Sequence, residues 1–207
     1  MKTIILGAKG IPSLPSNPDI DTSLAWIINS LKGAGIDDIQ IVSGKSNRDI
    51  ANLYRDINVI KNENWKVTGP LESLLLCEEL ILDSDVMISY ADVVYSQEVV
   101  SDFLKNVGNS SISIISDDNW INRYKRSQDS IRKAEKIWLD ESGKIQKVTR
   151  GDTLVKSHQS EYTGICYIKK DFCSELVNIS KHLISKNKTI GGSDYPLGFR
   201  DLFNEIL

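Results

Sequence analysis

Apolar residues along this chain fall into two textures: short β-branched runs, and stretches in which they recur every three or four positions. Ile4-Ile5-Leu6 stops at Gly7, and residues 8–19 that follow carry Pro12, Pro15 and Pro18 without apolar periodicity. This predicts a buried strand feeding a loop. Thr22 precedes Leu24, Ile27, Ile28 and Leu31 at helical spacing, with Gly33 and Gly35 as stop signals, so a capped helix is expected there. Ile39-Gln40-Ile41-Val42 is the next strand, a short helix runs through Ile50, Leu53 and Tyr54, and a third strand covers Ile57 to Ile60. The β-α-β-α-β alternation predicts a parallel sheet with helices on both faces.

Pro70 marks a first helical turn, and Leu74, Leu75 and Leu80 extend one helix from it. Val86-Met87-Ile88-Ser89-Tyr90 reads as another buried strand, with Asp92 just past its carboxyl end. A helix through Val99, Val100, Phe103 and Leu104 leads to a fifth core strand, Ile112 to Ile115. Residues 117–150 change texture. They are rich in Arg, Lys and Asp, with strand-like pieces at Ala134 to Leu139 and Ile145 to Val148 around Glu141-Ser142-Gly143, and read as an excursion off the main sheet. Tyr162 to Ile168 is expected to return to the sheet, Asp171 to cap a helix reaching about His182, and Leu197 to Leu207 to form a last helix.

Composition narrows the class. With 207 residues, 41% hydrophobic and 26% charged, the chain suits one globular domain that needs no staple. A formal charge of −3, from 25 basic and 28 acidic residues, provides no global field for a polyanion, so nucleic acid is not expected as a partner. No apolar run approaches the ~18 residues of a membrane span. Cys77, Cys166 and Cys173 lack zinc-site spacing and read as free thiols, which together with the absence of a signal-peptide core predicts a soluble, cytoplasmic protein.

In open α/β sheets ligands bind beyond the carboxyl ends of the strands, so the loops after Leu6, Val42 and Tyr90 should line one crevice. There Gly7-Ala8-Lys9-Gly10 would offer backbone N–H groups and one cation to a phosphate chain, and Asp92 a hard oxygen ligand to magnesium. Taken singly, the loop is equally a tight turn and Asp92 equally a turn or cap residue. Their pairing is what points to a site. His158 and His182 lack the context of a catalytic triad, and Lys125, Arg126, Arg132 and Lys133 alternate with acidic neighbours as a solvated face does.

The chain resembles the nucleotidyltransferase superfamily, most closely the cytidylyltransferases for phosphocholine and phosphonates. The resemblance rests on Met1 to Ala8, Leu24 to Ser43, Asn62-Glu63-Asn64-Trp65 through Thr68-Gly69-Pro70-Leu71-Glu72-Ser73-Leu74, Ile88 to Val94, Asp117-Asp118-Asn119-Trp120 with Arg123-Tyr124, Ala134-Glu135-Lys136, and Glu161-Tyr162-Thr163-Gly164-Ile165, in that order. It implies a Rossmann-like α/β fold with a mostly parallel, mixed sheet. It further implies transfer of a nucleotidyl group from a nucleoside triphosphate, CTP by closest likeness, to a small phosphorylated or phosphonate acceptor with release of pyrophosphate. By that resemblance Leu6, Gly7, Ala8, Lys9, Gly10, Thr68, Gly69, Ser73 and Ala91 would contact the nucleotide, and Lys9 and Lys136 would act on the reacting or acceptor anions. Asp92 would hold magnesium, with Glu161 and Asp194 as candidates for a second carboxylate. Read without the resemblance, Lys136 is a surface lysine in a charged hairpin, Ser73 a helix residue, and Glu161 and Asp194 a strand end and a turn residue.

The phosphate loop departs from the family pattern. Family members carry a longer glycine-rich loop with an Arg and a Pro-Lys pair, whereas here residues 7–19 hold Lys9 as their only cation. A binding or regulatory relative with impaired catalysis is therefore a competing expectation. A nucleotide-sugar glycosyltransferase ranks below both, because Val94 stands where its second carboxylate would follow Asp92. The pattern is compatible with a homo-oligomer.

Overall fold

The computed structural model describes residues 1–9, 22–124, 127–151, 159–189 and 196–207. Gly10, Pro12, Pro15, Pro18, Lys125, Arg126, His158 and Asp194, all discussed above, lie outside the described residues. The elements in chain order are β1 (Lys2–Gly7), α1 (Ser23–Gly33), β2 (Ile39–Ser43), α2 (Asn47–Leu53), β3 (Asn58–Lys61), α3 (Pro70–Leu75), α4 (Glu78–Asp83), β4 (Val86–Tyr90), α5 (Gln97–Asn106), β5 (Ile112–Asp117), α6 (Trp120–Arg123), α7 (Gln128–Lys133), β6 (Lys136–Leu139), β7 (Ile145–Thr149), β8 (Gln159–Ile168), α8 (Lys170–Thr189) and α9 (Phe199–Ile206).

One mixed sheet runs in the order β3-β2-β1-β4-β8-β6-β7, with β5 on the other edge of β8. The first four strands are parallel, and β8 is antiparallel to β4, β5 and β6. This is the α/β, Rossmann-like mixed sheet expected from the sequence. Strand alternation sorts β1 between two cores. Ile4 and Leu6 pack toward α3, α4, α8 and α9, while Ile5 packs with Ile41 and Met87 against α1, α2 and α5. Thr22 caps α1 as expected, its Oγ1 accepting from the Ala25 N–H at 3.0 Å, and Leu24, Ile27, Ile28 and Leu31 form the buried face.

Three expected elements change form. The helix predicted from Pro70 through Leu80 is two helices, because tight i→i−3 bonds from Leu76 N–H to Ser73 (3.3 Å) and Cys77 N–H to Leu74 (2.9 Å) end α3. The break keeps Leu74, Cys77 and Ile81 all in the core. The helix from Asp171 passes His182, since Leu183 continues the buried stripe of Cys173, Leu176 and Val177. The 136–149 hairpin is a continuation of the sheet rather than an excursion from it. Its strand β6 pairs with β8 through Lys136↔Glu161, Ile137↔Ser160 and Trp138↔Gln159. On the far side Asn204 of α9 substitutes for a further strand, accepting from the Val148 N–H at 3.0 Å and donating to the Val148 carbonyl at 2.8 Å.

Cys77, Cys166 and Cys173 are buried free thiols, and burial pushes Cys77 and Cys166 up to about 12. Among the described residues no helix is long and apolar enough to cross a membrane.

Candidate active site

The cleft arises from a discontinuity in the ladder along one edge of β8. Residues Ile165 to Ile168 pair with β4 and Gln159 to Glu161 pair with β6, so Tyr162, Thr163 and Gly164 lie between the end of one neighbour and the start of the next. Gly164 is required there. Its φ is +84°, and a Cβ would come within 2.5 Å of the Tyr90 ring. Tyr90 in turn meets Tyr162 and Phe199 edge-on at centroid distances of 6.2 and 5.9 Å, closing the inner wall with aromatic rings.

The parallel register Leu6↔Tyr90 makes β1 and β4 end side by side, and the Ala91 N–H donates to the Leu6 carbonyl at 3.1 Å. Gly7-Ala8-Lys9 and Ala91-Asp92 therefore emerge into the same space. A cavity of about 690 Å³ is lined by Leu6, Gly7, Ala8, Lys9, Thr68, Ser73, Ala91, Asp92 and Glu161, so one cleft gathers nine of the residues singled out from the sequence. Lys9 and Asp92 are exposed at its mouth. The loop after Val42 does not take part as expected, because Gly44 is packed so closely on the Ala8 carbonyl and the Trp65 side chain that a Cβ would overlap both. Gly69 sits behind the lining, where a Cβ would overlap the Leu197 carbonyl, and its N–H is capped by Glu72 at 2.9 Å.

Lys136 stands apart from that group. It is fully buried rather than on the surface, and it does not line the cleft, which corrects its expected position facing an acceptor anion. Glu161 lies across the β6–β8 ladder from it and feels its charge, and the Trp120 ring lies 6.0 Å from Nζ.

The structure adds residues that the sequence reading did not assign to the site. Glu135, just before β6, and Arg150, just after β7, line the cleft opposite Gly7-Lys9, as do Tyr124 and Lys133. Burial raises the Glu135 pKa, an effect opposed by the charges of Arg150 and Arg200 and reinforced by Asp201 and Glu161. Burial likewise raises Glu161, against the hydrogen bond from Tyr124 and the charges of Arg123 and Lys136. The Tyr124 hydroxyl donates to Glu161 Oε1 at 2.7 Å, and burial and this carboxylate push its own pKa up to about 12. Lys133 also pairs with Asp129 at 2.6 Å within α7.

At the opposite end, buried Asn62 donates from Nδ2 to Thr68 Oγ1 at 2.9 Å and Ser73 Oγ at 3.0 Å, fixing both hydroxyls at the wall. Among the described residues no cluster of three or more His, Cys, Asp or Glu side chains forms a ready-made metal cage. A single cleft carboxylate such as Asp92 suits magnesium, which keeps several waters and binds through one or two carboxylates plus substrate phosphates.

No protein-family model matches the chain. In sequence it is similar to a CTP:phosphoglutamine cytidylyltransferase from Campylobacter jejuni, at 24% identity over 159 residues. That alignment spans 72% of this chain and 62% of the relative. In structure it resembles a protein from Bacillus anthracis described as a glucose-1-phosphate thymidylyltransferase, crystallised with sucrose. That match has a TM-score of 0.67 and 18% identity, covering 99% of this chain and 81% of the other. It also resembles the inositol-1-phosphate CTP transferase of T. maritima, with TM-score 0.61 and 17% identity over 84% and 72% of the two chains. These likenesses show that the chain shares the mixed α/β fold of the two solved structures.

Proposed function

We propose that the protein is a cytidylyltransferase, moving CMP from CTP to a small phosphate monoester or phosphonate with release of pyrophosphate. The observation that carries this reading is the convergence, in one cleft, of the Gly7-Ala8-Lys9 strand end and the Asp92 strand end with the Glu135–Arg150 wall facing them. The sequence relative that acts on CTP supports the choice of nucleotide.

In this reading the backbone of Gly7 to Lys9 and the Lys9 ammonium receive the triphosphate, and Ala91 packs beside the nucleotide. Thr68 and Ser73 face the base, with Gly69 shaping their turn. Asp92 holds magnesium, and Glu161 is the candidate second carboxylate. A magnesium ion held by Asp92 would supply neutralisation of the charge on the triphosphate oxygens. The acceptor enters from the hairpin side, where Arg150 and Lys133 attract its anionic group and orient an oxygen toward the α-phosphorus. Attack forms the new P–O bond as the bond to pyrophosphate breaks, without an enzyme-bound intermediate.

Arg150 and Lys133 bear on the competing reading of a binding protein with impaired catalysis. The phosphate loop is poor in cations, yet the cleft as a whole contains Lys9, Lys133 and Arg150, so positive charge reaches it from the opposite wall. Pyrophosphate release from CTP, screened over phosphate monoesters and phosphonates, tests the activity. Release that depends on one acceptor class supports it, and nucleotide binding without turnover on any acceptor favours the binding protein.

A further inference from the structure

The hairpin wall of the cleft ends in Arg150, one residue past β7, and the backbone is tied down on both sides of it. After it, the Gly151 N–H donates to the Arg132 carbonyl at 2.9 Å. Before it, Val148 is held by Asn204 of α9. The N–H and C=O of one strand residue point to the same side, and both of those on Val148 meet Asn204 rather than β6. The Val148 N–H can only donate, which fixes Asn204 Oδ1 as its acceptor at 3.0 Å and leaves Nδ2 to donate to the Val148 carbonyl at 2.8 Å. A carboxylate or an alkyl group of the same size cannot make both bonds. The helix that carries this amide is firmly seated, because Phe199, Leu202 and Phe203 are buried and the two phenylalanine rings meet Tyr162 on the cleft floor at 6.3 and 5.3 Å.

We propose that Asn204 is a positioning residue for anion binding, clamping β7 so that the Arg150 guanidinium stays in the cleft. The inference rests on the reading of the Glu135–Arg150 wall as the place that receives the acceptor's phosphate or phosphonate group. A guanidinium recognises such a group through directed N–H donors, so its grip depends on where the backbone behind it sits. That backbone needs support. β7 is a five-residue strand whose ladder to β6 shifts register between Trp138 and Leu139, and the clamp acts on it two residues from Arg150. Without the clamp the strand end frays, Arg150 spends part of its time outside the cleft, and the apparent affinity falls with the fraction that remains in place. Lys9 and Asp92 follow β1 and β4 on the far side of the cleft, so nucleotide binding there does not depend on Asn204.

A double-mutant cycle separates this role from a general structural one. Asn204→Asp at pH 8 keeps the size and the acceptor but sets a carboxylate oxygen against the Val148 carbonyl. Dissociation constants for methylphosphonate are measured by phosphorus NMR for the wild type, Asn204→Asp, Arg150→Gln and the double variant, with CTP and magnesium affinity followed by calorimetry. Arg150→Gln is expected to weaken methylphosphonate binding about tenfold, and Asn204→Asp about fivefold, the factor carried by one net hydrogen bond. In the Arg150→Gln background Asn204→Asp is expected to add nothing, and CTP affinity to stay as in the wild type. Methylphosphonate binding unchanged in Asn204→Asp overturns the assignment. An effect of the same size without Arg150, or an equal loss of CTP affinity, also overturns it by showing that the whole structure has loosened. Should Asn204→Asp fail to fold, Asn204→Ser takes its place in the cycle, since its shorter hydroxyl cannot reach both Val148 groups. A wild type that binds no methylphosphonate, or an Arg150→Gln protein that binds it as well as the wild type, overturns the anion wall and the clamp with it, an outcome distinct from failure of the clamp alone.

Discussion

Tyr124 and Glu161 are joined by a 2.7 Å hydrogen bond that ties the short α6 to the sheet strand β8 at the cleft wall. The donated proton stabilises the Glu161 carboxylate against the burial that otherwise favours its neutral form. Tyr124→Phe is therefore expected to raise the Glu161 pKa further, read by carboxyl carbon chemical shifts in an NMR titration. An unchanged titration would show that the bond contributes nothing to the ionisation of Glu161.

Glu135 is a largely buried cleft carboxylate, and burial holds its folded-state pKa above the unfolded value near 4.5. Between those two values the folded state binds more protons, so stability falls as pH rises through the folded pKa. Glu135→Gln removes this loss. Its thermal midpoint should exceed the wild-type value at pH 8 and converge with it near pH 4. A difference that is the same at both pH values would exclude Glu135 as its source.

Lys136 distinguishes a buried structural cation from a catalytic one. Lys136 is fully buried, and its aliphatic stem fills core volume beside Trp120, so Lys136→Ala should lower the denaturation free energy by about 2–5 kcal/mol, as large-to-small core substitutions do. It should also raise the Glu161 pKa, because the Lys136 charge lowers it in the native protein. A Lys136→Ala protein of wild-type stability but without activity would return the lysine to the reaction.

Gly164 allows β8 to pass the Tyr90 ring with a left-handed backbone. Gly164→Ala combines an unfavourable φ with an overlap, and a cost of about 1–3 kcal/mol is expected from the backbone conformation alone. For a domain of this size that lowers the thermal midpoint by about 2–4 °C per kcal/mol. A midpoint equal to that of the wild type would contradict the close approach.

The elements that were legible in the sequence are those specified by local chemistry. Thr22 announces α1, the β-branched runs announce β1, β2 and β4, and two parallel strands ending at Gly7 and Tyr90 place Lys9 and Asp92 together. What was not legible depends on pairing across the chain. Glu135 and Arg150 reach the cleft only because the hairpin joins β8 at Lys136↔Glu161, and no local pattern encodes that register. The same register buries Lys136, which charge patterning alone assigns to the surface. The Gly44 loop looks available in sequence, and only the packing of Trp65 and Ala8 reveals that it is covered.

The central claim is that the cleft between Lys9, Asp92 and Glu161 is a metal-dependent nucleotide site. The most direct measurement is the thermal unfolding midpoint with each of the four ribonucleoside triphosphates, with and without magnesium, for the wild type and Asp92→Ala. A ligand present at ten times its dissociation constant stabilises the native state by about 1.4 kcal/mol, which moves the midpoint by about 3–6 °C. The expected result is a shift of that size that is largest with CTP, requires magnesium and is lost in Asp92→Ala. No shift with any triphosphate at millimolar concentration, or a CTP shift that Asp92→Ala retains in full, would contradict it.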